Sequence, residues 1–470
     1  MSMKYEEQIT KIKNIVNQPV SKFKPDELKG IVERYEKNHA KSKEAFERAR
    51  KILPGGVEHN LAFNYPFPLT SKRVYDCYME TIDDVVLTDY LMCGGPIILG
   101  HNYKPHTDKI LDVIREVGPC HGITHEYEYL AAEELQKHFP SCEVIRWLQT
   151  GTETDMLAIR VARIFTNRKW IIKIGGSYHG WSDQLVYDMH IPGTGMLESH
   201  GMPKDIYKWI DACPPNDIEE MRRMFKEKRK VAAVIIEPMG GESGAMPVRP
   251  EFNKELEELC HENGALLISD EVVCAFRLHM GGGQAYFGYT PDLSVFGKIV
   301  GHGYPSAAAL GGRADIMATV AAGVGGGAKR AYCGGTIAAN PLTCAAAYWA
   351  MKFVEETNAT EKAGKAASRL TDGMNEIFTK YSLPWFSYNY NATVHFHTSC
   401  VFGLDLKNPK HIGQITERKH FMEQMGAALI DEDLISVAGS RFYTCMQHSD
   451  EIVNKTLEKM DNICQKIEKN

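Results

Sequence analysis

Five short apolar runs in the middle of the chain each give way, at their carboxyl end, to residues able to do chemistry. Residues 144–148 run into Gln149-Thr150-Gly151-Thr152-Glu153-Thr154, a glycine and hydroxyl turn that opens a helical pattern. The unsatisfied N–H groups and positive dipole end of such a helix suit a phosphate. Residues 170–174 run into Gly175-Gly176-Ser177-Tyr178-His179-Gly180-Trp181, where two glycines let aromatic rings approach a bound planar group. Residues 231–236 lead to Glu237-Pro238, and residues 265–269 to Asp270-Glu271-Val272. Residues 293–296 end in Gly297-Lys298, a lysine at a strand end in apolar surroundings.

The elements that position these residues follow from the same runs. Short apolar stretches separated by helical patterns, as at 155–165 and 252–263, read as strands buried on both faces within βαβ units. The fold class is therefore α/β, with a mainly parallel sheet covered by helices. Ligands bind such sheets outside the carboxyl ends of the strands, which puts all five turns on one edge. A buried carboxylate, a buried lysine, a phosphate turn and a ring-stacking aromatic on one sheet edge are the parts a pyridoxal phosphate enzyme needs. A desolvated lysine has a lowered pKa, which frees its amine to form a Schiff base with an aldehyde. An aspartate facing the pyridine nitrogen keeps it protonated, so the ring can accept electrons when a substrate Cα–H bond breaks.

Outside this centre the rhythm changes. From 25 to 53 apolar residues recur at helical spacing among charges and stop at Pro54-Gly55-Gly56, an N-terminal helical arm. Residues 74–91 alternate like hairpin strands. Helical patterns at 363–381 and 451–468 flank strand-like 393–406, a smaller α+β domain. The expected division is an arm with a small-domain contribution over 1–75, a large cofactor-binding domain over 76–350, and a C-terminal small domain over 351–470.

With 44% hydrophobic and 24% charged residues among 470, the chain has material for a large core. Its net charge of -6 gives no global positive field to hold nucleic acid or an anionic membrane. There is no apolar stretch long enough for a membrane helix and no apolar leader, so the expected location is cytoplasmic. Twelve cysteines without a CxxC pair read as reduced core thiols, and the sequons at Asn358 and Asn391 have no secretory route to act on.

In order, the chain carries Leu53-Pro54-Gly55-Gly56-Val57, Thr150-Gly151-Thr152-Glu153, Ser177-Tyr178-His179-Gly180-Trp181, Glu237-Pro238, Asp270-Glu271-Val272, Phe296-Gly297-Lys298, Gly334-Gly335-Thr336 and Asn340-Pro341. In these motifs it resembles the class III aminotransferases of the fold-type I pyridoxal phosphate enzymes, closest in look to the glutamate-1-semialdehyde aminomutase branch. The resemblance runs from about residue 50 to the C-terminus. It implies a large domain on a mainly parallel seven-stranded sheet with a smaller α+β domain, and a homodimer with shared active sites. It also implies that Lys298 holds the cofactor and shuttles the proton, acting as general base and acid. Asp270 would pair with the pyridine nitrogen, Tyr178 would stack on the ring, Val272 would pack on the opposite face, and Gly151 with Thr152 would bind the phosphate. Thr336 would reach the cofactor phosphate of the neighbouring subunit, with His179 and Glu237 in supporting roles.

The resemblance implies an aminotransferase that moves an amino group from an amine or amino acid donor to a keto acid acceptor in two half-reactions, through pyridoxamine phosphate. The alternative is a 2,1-aminomutase, in which the transfer is intramolecular. Two departures favour the first. Ala62 stands where the resembling enzymes carry an arginine that clamps a substrate carboxylate, and Tyr443 where the aminomutases carry a glutamate. Arg441 is either a replacement clamp or half of a surface ion pair. His59, Asn60, Phe63, Tyr65 and Trp181 are further pocket candidates, each equally readable as packing.

Other signals carry less. Gly323-Val324-Gly325-Gly326-Gly327-Ala328 fits a loose dinucleotide pattern but follows no apolar strand, so it reads as an interface loop. His395 and His397 share one face of a strand without evident further ligands, so no metal site is expected. No helix-turn-helix extension or basic patch supports a nucleic-acid-binding regulator.

Overall fold

A computed structural model of the chain describes residues 3–60, 64–196, 199–321 and 329–468. Its strands, in chain order, are β1 (Ser71–Tyr75), β2 (Tyr78–Thr81), β3 (Val86–Asp89), β4 (Val144–Leu148), β5 (Trp170–Ile174), β6 (Ile210–Cys213), β7 (Val231–Ile236), β8 (Leu266–Asp270), β9 (Leu293–Phe296), β10 (Ala308–Gly312), β11 (Phe386–Tyr390), β12 (Thr393–His397), β13 (Leu434–Ile435) and β14 (Arg441–Tyr443). The chain divides into two compact units, Met1–Tyr103 with Ala359–Asn470, and Lys104–Asn358.

The second unit is built on the seven-stranded sheet, in the order β4-β10-β9-β8-β7-β5-β6. Strands β5 to β9 run parallel, and β10 runs antiparallel to both β4 and β9. Two reversals restore direction, so β4 also ends on the edge where β5, β7, β8 and β9 end. All residues of β7, β8 and β9 are buried, as unbroken apolar runs require. The helix Gly151–Thr166 packs Leu157, Ala158, Val161 and Ala162 on the sheet, in one core with Ile171, Ile235, Ile268, Val295 and Leu310. Two strands escape the sequence pattern. Strand β6 is four residues at the sheet edge. Strand β10, Ala-Ala-Leu-Gly-Gly, lies between β4 and β9, where a Cβ on Gly311 would come within 2.5 Å of the Cys142 sulfur. Bulk is excluded there, and with it the apolar signal.

In the first unit β1, β2 and β3 form an antiparallel meander that β13 joins in parallel, and β11, β12 and β14 form an antiparallel sheet. The N-terminal arm is three helices, Tyr5–Val16, Pro25–Asn38 and Ala40–Ala49, rather than one; the last two part at His39 (φ −122°, ψ 38°). Ile31 and Tyr35 of the arm enter one core with Leu370, Phe396, Phe421 and Phe442. Buried Arg418 donates to the carbonyls of Ile15, Val16 and Gln18, which satisfies the open end of the first helix. The strand expected over 393–406 stops at His397. Cys400, in the left-handed region (φ 50°), leads instead into a 3-10 turn. His395 and His397 are both buried in stacks on Tyr388, and burial holds the His397 imidazole down at about 3. Residues 323–328 of the glycine loop lie outside the described residues.

Candidate active site

On the common edge of the parallel strands the turns interlock through glycine. A Cβ on Gly151, first residue of its helix, would meet Val272 Cγ2 at 3.0 Å; one on Gly297 would lie 3.3 Å from Val272 and 3.5 Å from Gly151 Cα. Gly180 sits at φ +76°, where a Cβ would fall 2.2 Å from Thr152 Oγ1 and 2.7 Å from Thr152 Cα. The segment carrying Tyr178 and His179 is therefore seated directly on the first turn of the helix. Thr150 caps that helix, its hydroxyl accepting from the Glu153 N–H at 3.2 Å. The N–H groups of Gly151 and Thr152 have no acceptor within the helix and form the anion-favouring end of its dipole. A cavity of about 1010 Å³ lies alongside, lined by Thr150, Thr152, Glu153, Arg160, Trp181 and Lys329.

Asp270, the last residue of β8, is 5% exposed. Its Oδ2 lies 2.8 Å from His179 Nδ1, and its Oδ1 accepts the Val272 N–H at 3.0 Å. Both oxygens of this carboxyl are thereby held in place from within the fold. His179 is wholly buried, and burial lowers its pKa against the opposing pull of Asp270. Glu237, just past β7, accepts the Tyr178 N–H at 2.8 Å and the Ser243 hydroxyl at 2.9 Å. Burial pushes its carboxyl up to about 7. Glu271 behaves alike, also at about 7, accepting from Gly283 N at 2.8 Å and Gln284 N at 3.1 Å.

Lys298 follows β9 and Gly297, at φ 42° and heading a 3-10 turn. It departs from the buried lysine expected of the sequence: the side chain is exposed, in a turn that begins where β9 has ended. Tyr178 is 37% exposed, its ring stacked at 6.1 Å on His190, and Trp181 and Thr336 are exposed. In the first unit, His59 and Asn60 are exposed and Tyr65 packs partly buried against the core, while Phe63 and Ala62 lie outside the described residues. Arg441 is 5% exposed and donates to the Tyr443 hydroxyl at 3.1 Å, so it is not half of a surface ion pair.

Two residues of the second unit that the sequence analysis passed over belong to this edge. Lys173, in the middle of β5 and fully buried, donates to the carbonyls of Ser177 (2.7 Å), Tyr187 (2.8 Å) and Leu185 (3.2 Å), clamping the segment that carries Tyr178 and His179. Asp155, on the second turn of the helix Gly151–Thr166, is 1% exposed. Each was visible as an ionisable residue inside an apolar pattern, which must find partners or lose its charge.

A glycine cradle at a helix start, a fixed buried carboxylate and a strand-end lysine on one sheet edge fit a phosphorylated, positively charged ring. The fold and the cradle define a fold-type I pyridoxal phosphate enzyme. The model of the class III aminotransferases matches residues 62–384, and the chain belongs to that family. A glutamate-1-semialdehyde 2,1-aminomutase of Methanocaldococcus jannaschii is 32% identical over 442 residues, 91% of this chain and 99% of its own. An ω-transaminase structure from Sphaerobacter thermophilus superposes with a TM-score of 0.80 at 27% identity, covering 90% of this chain and 97% of that one. A glutamate-1-semialdehyde aminomutase from Pseudomonas aeruginosa, solved in complex with PMP (pyridoxamine phosphate), shares the fold with a TM-score of 0.80 at 19% identity, over 97% and 99% of the two chains. No helix among the described residues is long and apolar enough to cross a membrane.

Proposed function

We propose that the chain catalyses an intramolecular amino shift of the 2,1-aminomutase type, on a small amino aldehyde related to glutamate-1-semialdehyde. The observation that carries this reading is the aminomutase relatedness over nine-tenths of the chain. It reverses the order of the two readings drawn from sequence, which put transfer between two substrates first.

The bound cofactor supplies an electron sink for a substrate carbanion and a carrier for the amino group. In the proposed assignment the chain's own residues do the rest. The Lys298 amine holds the cofactor and moves the proton at the reacting carbon. In the loaded homodimer the ring and the second copy of the chain would take the place of water around this exposed side chain. The Asp270 carboxylate, fixed by His179 and Val272 N–H, faces the ring nitrogen. Tyr178 covers one ring face and Val272 the other, Gly151 and Thr152 take the phosphate, and Glu237 holds the Tyr178 backbone. Thr336, exposed, serves the partner subunit's site in a cytoplasmic homodimer.

A second reading, transfer from a donor to a keto acid in two half-reactions, is favoured by Arg441 and Tyr443, a buried pair where the aminomutases carry a glutamate. The test loads the enzyme with pyridoxamine phosphate and supplies glutamate-1-semialdehyde without keto acid. Release of the isomer with its amino group shifted supports the first reading. Turnover that requires pyruvate or 2-oxoglutarate overturns it in favour of the second, and Lys298→Ala should abolish either.

A further inference from the structure

Three buried side chains meet behind the sheet edge. Asp155, His179 and Asp270 each place a side-chain nitrogen or oxygen within 4.8 Å of the other two. His179 Nδ1 is committed to Asp270 at 2.8 Å, whereas His179 Nε2 and Asp155 Oδ1 are both buried without a hydrogen-bond partner among the described residues. An imidazole whose Nδ1–H points at a carboxylate has a lone pair on Nε2. The two atoms are not bonded to each other as placed, and the carboxyl of Asp155, carrying a proton and turned about its side chain, is the group of this cluster able to answer that lone pair. It occupies the second turn of the same helix whose first turn forms the phosphate cradle, so its placement is as rigid as the helix.

We propose that Asp155 is a positioning residue for Asp270, working through His179 in a buried Asp155–His179–Asp270 relay that fixes which imidazole nitrogen faces Asp270. This deepens the assignment of Asp270 to the cofactor's ring nitrogen and rests on it. The groups facing Asp155 are Asp270, Glu237, Lys173, Tyr178 and His179. Burial, then Asp270, then Glu237 raise its carboxyl well above the ordinary carboxylate range, and Lys173 opposes them. A protonated Asp155 donating to Nε2 closes the relay without a second negative charge. His179 then stays neutral, with its single proton on Nδ1, and Asp270 keeps its charge for the cationic ring. Asp270 holds the proton on Nδ1 from its side, but without Asp155 the Nε2 lone pair is open to a second proton. A proton on Nε2 as well would make the imidazole cationic and neutralise the charge that Asp270 keeps for the ring.

The test reads the protein in two ways, on the cofactor-loaded enzyme with 15N-labelled histidine. Wild type should show His179 with its proton on Nδ1, and a cofactor absorbance band that titrates with a single midpoint. Asp155→Asn, whose amide can still donate to Nε2, should keep both. Asp155→Ala should let Nε2 take up a proton and move the band's midpoint by about half a pH unit or more. Asp155→Leu, branched like the native side chain and unable to donate, should do the same and serves where the alanine variant does not fold. Wild-type tautomer and band in these two variants, or a proton on Nε2 in wild type, would overturn the relay. Asp270→Asn separates the relay from the reading beneath it. If that variant leaves the band unchanged while His179 still responds to Asp155→Ala, the relay stands and the pairing of Asp270 with the ring falls.

Discussion

Replacing Lys173 by methionine isolates what holds the Tyr178–His179 segment in place. Methionine keeps the length and apolar stem but removes the ammonium that donates to Ser177, Leu185 and Tyr187. Each carbonyl left dry costs roughly 1–3 kcal/mol. The loss is partly offset because a buried ammonium no longer has to be desolvated, and breaking a buried charged site of this kind costs about 3–5 kcal/mol net. The loss should fall on the segment itself, since its ends stay anchored by Gly175 N–H on Cys213 O and by Asp188 N–H on Gly195 O. Native-state hydrogen exchange reads it directly. The amides of Leu185 and Val186, both bonded to Ser182 O, should exchange about 10²–10³-fold faster in Lys173→Met, since about 1.4 kcal/mol is tenfold. Cofactor affinity should fall with them. Exchange within about threefold of wild type would refute the clamp and leave Lys173 as a tolerated core lysine.

Gly180→Ala should be more damaging than a typical surface substitution. The left-handed backbone costs about 1–2 kcal/mol, and the new methyl overlaps Thr152 backbone that cannot swing away, so a weaker phosphate site in a cofactor titration is the expected readout. Glu237, ordinarily near 4.5 and here at about 7, binds a proton more tightly in the folded chain, so its share of stability is full below 4.5 and lost as pH rises through 7. Denaturation midpoints should therefore fall over that window, by up to about 3 kcal/mol of stability, and Glu237→Gln should flatten the slope. Lys298→Ala should fold normally, because its side chain is exposed, yet fail to retain the cofactor after borohydride treatment and dialysis. Arg418→Met should leave the carbonyls of Ile15, Val16 and Gln18 unpaired and release the first helix, detectable as proteolysis near residue 17.

The apolar runs were legible because a strand buried on both faces has little room for polar residues, so β5, β7 and β9 coincide with their runs to the residue, as does the half-exposed edge strand β4. Strand β10 was illegible for the opposite reason: close packing against Cys142 and Leu293 admits only glycine at its last two positions, residues that read as a loop. The chemistry-bearing turns were legible from the edge rule alone. What the rule does not supply is orientation. It places Lys298 at the strand end but supplies neither its positive φ nor the exposure of its side chain. Lys173 and Asp155 were hidden by the windows that found the elements, since one ionisable residue does not break an apolar strand or a helical stripe.

Those two residues explain how the edge tolerates so many acids. Asp155, Glu237, Asp270 and Glu271 are all buried, with Lys173 as a buried cation beside Asp155. Four carboxylate charges in that volume would repel one another at low dielectric. The observed arrangement relieves this with protons: Asp155, Glu237 and Glu271 are all pushed upward, and His179 is pushed down so that it adds no charge. Asp270 accepts the Val272 backbone N–H and lies against His179 Nδ1. In the proposed assignment a cation arriving at this edge meets the Asp270 carboxylate among neighbours whose own charge is suppressed by burial. That is the condition under which a single carboxylate can hold a ring nitrogen protonated, and it depends on residues well beyond the one that touches the ring.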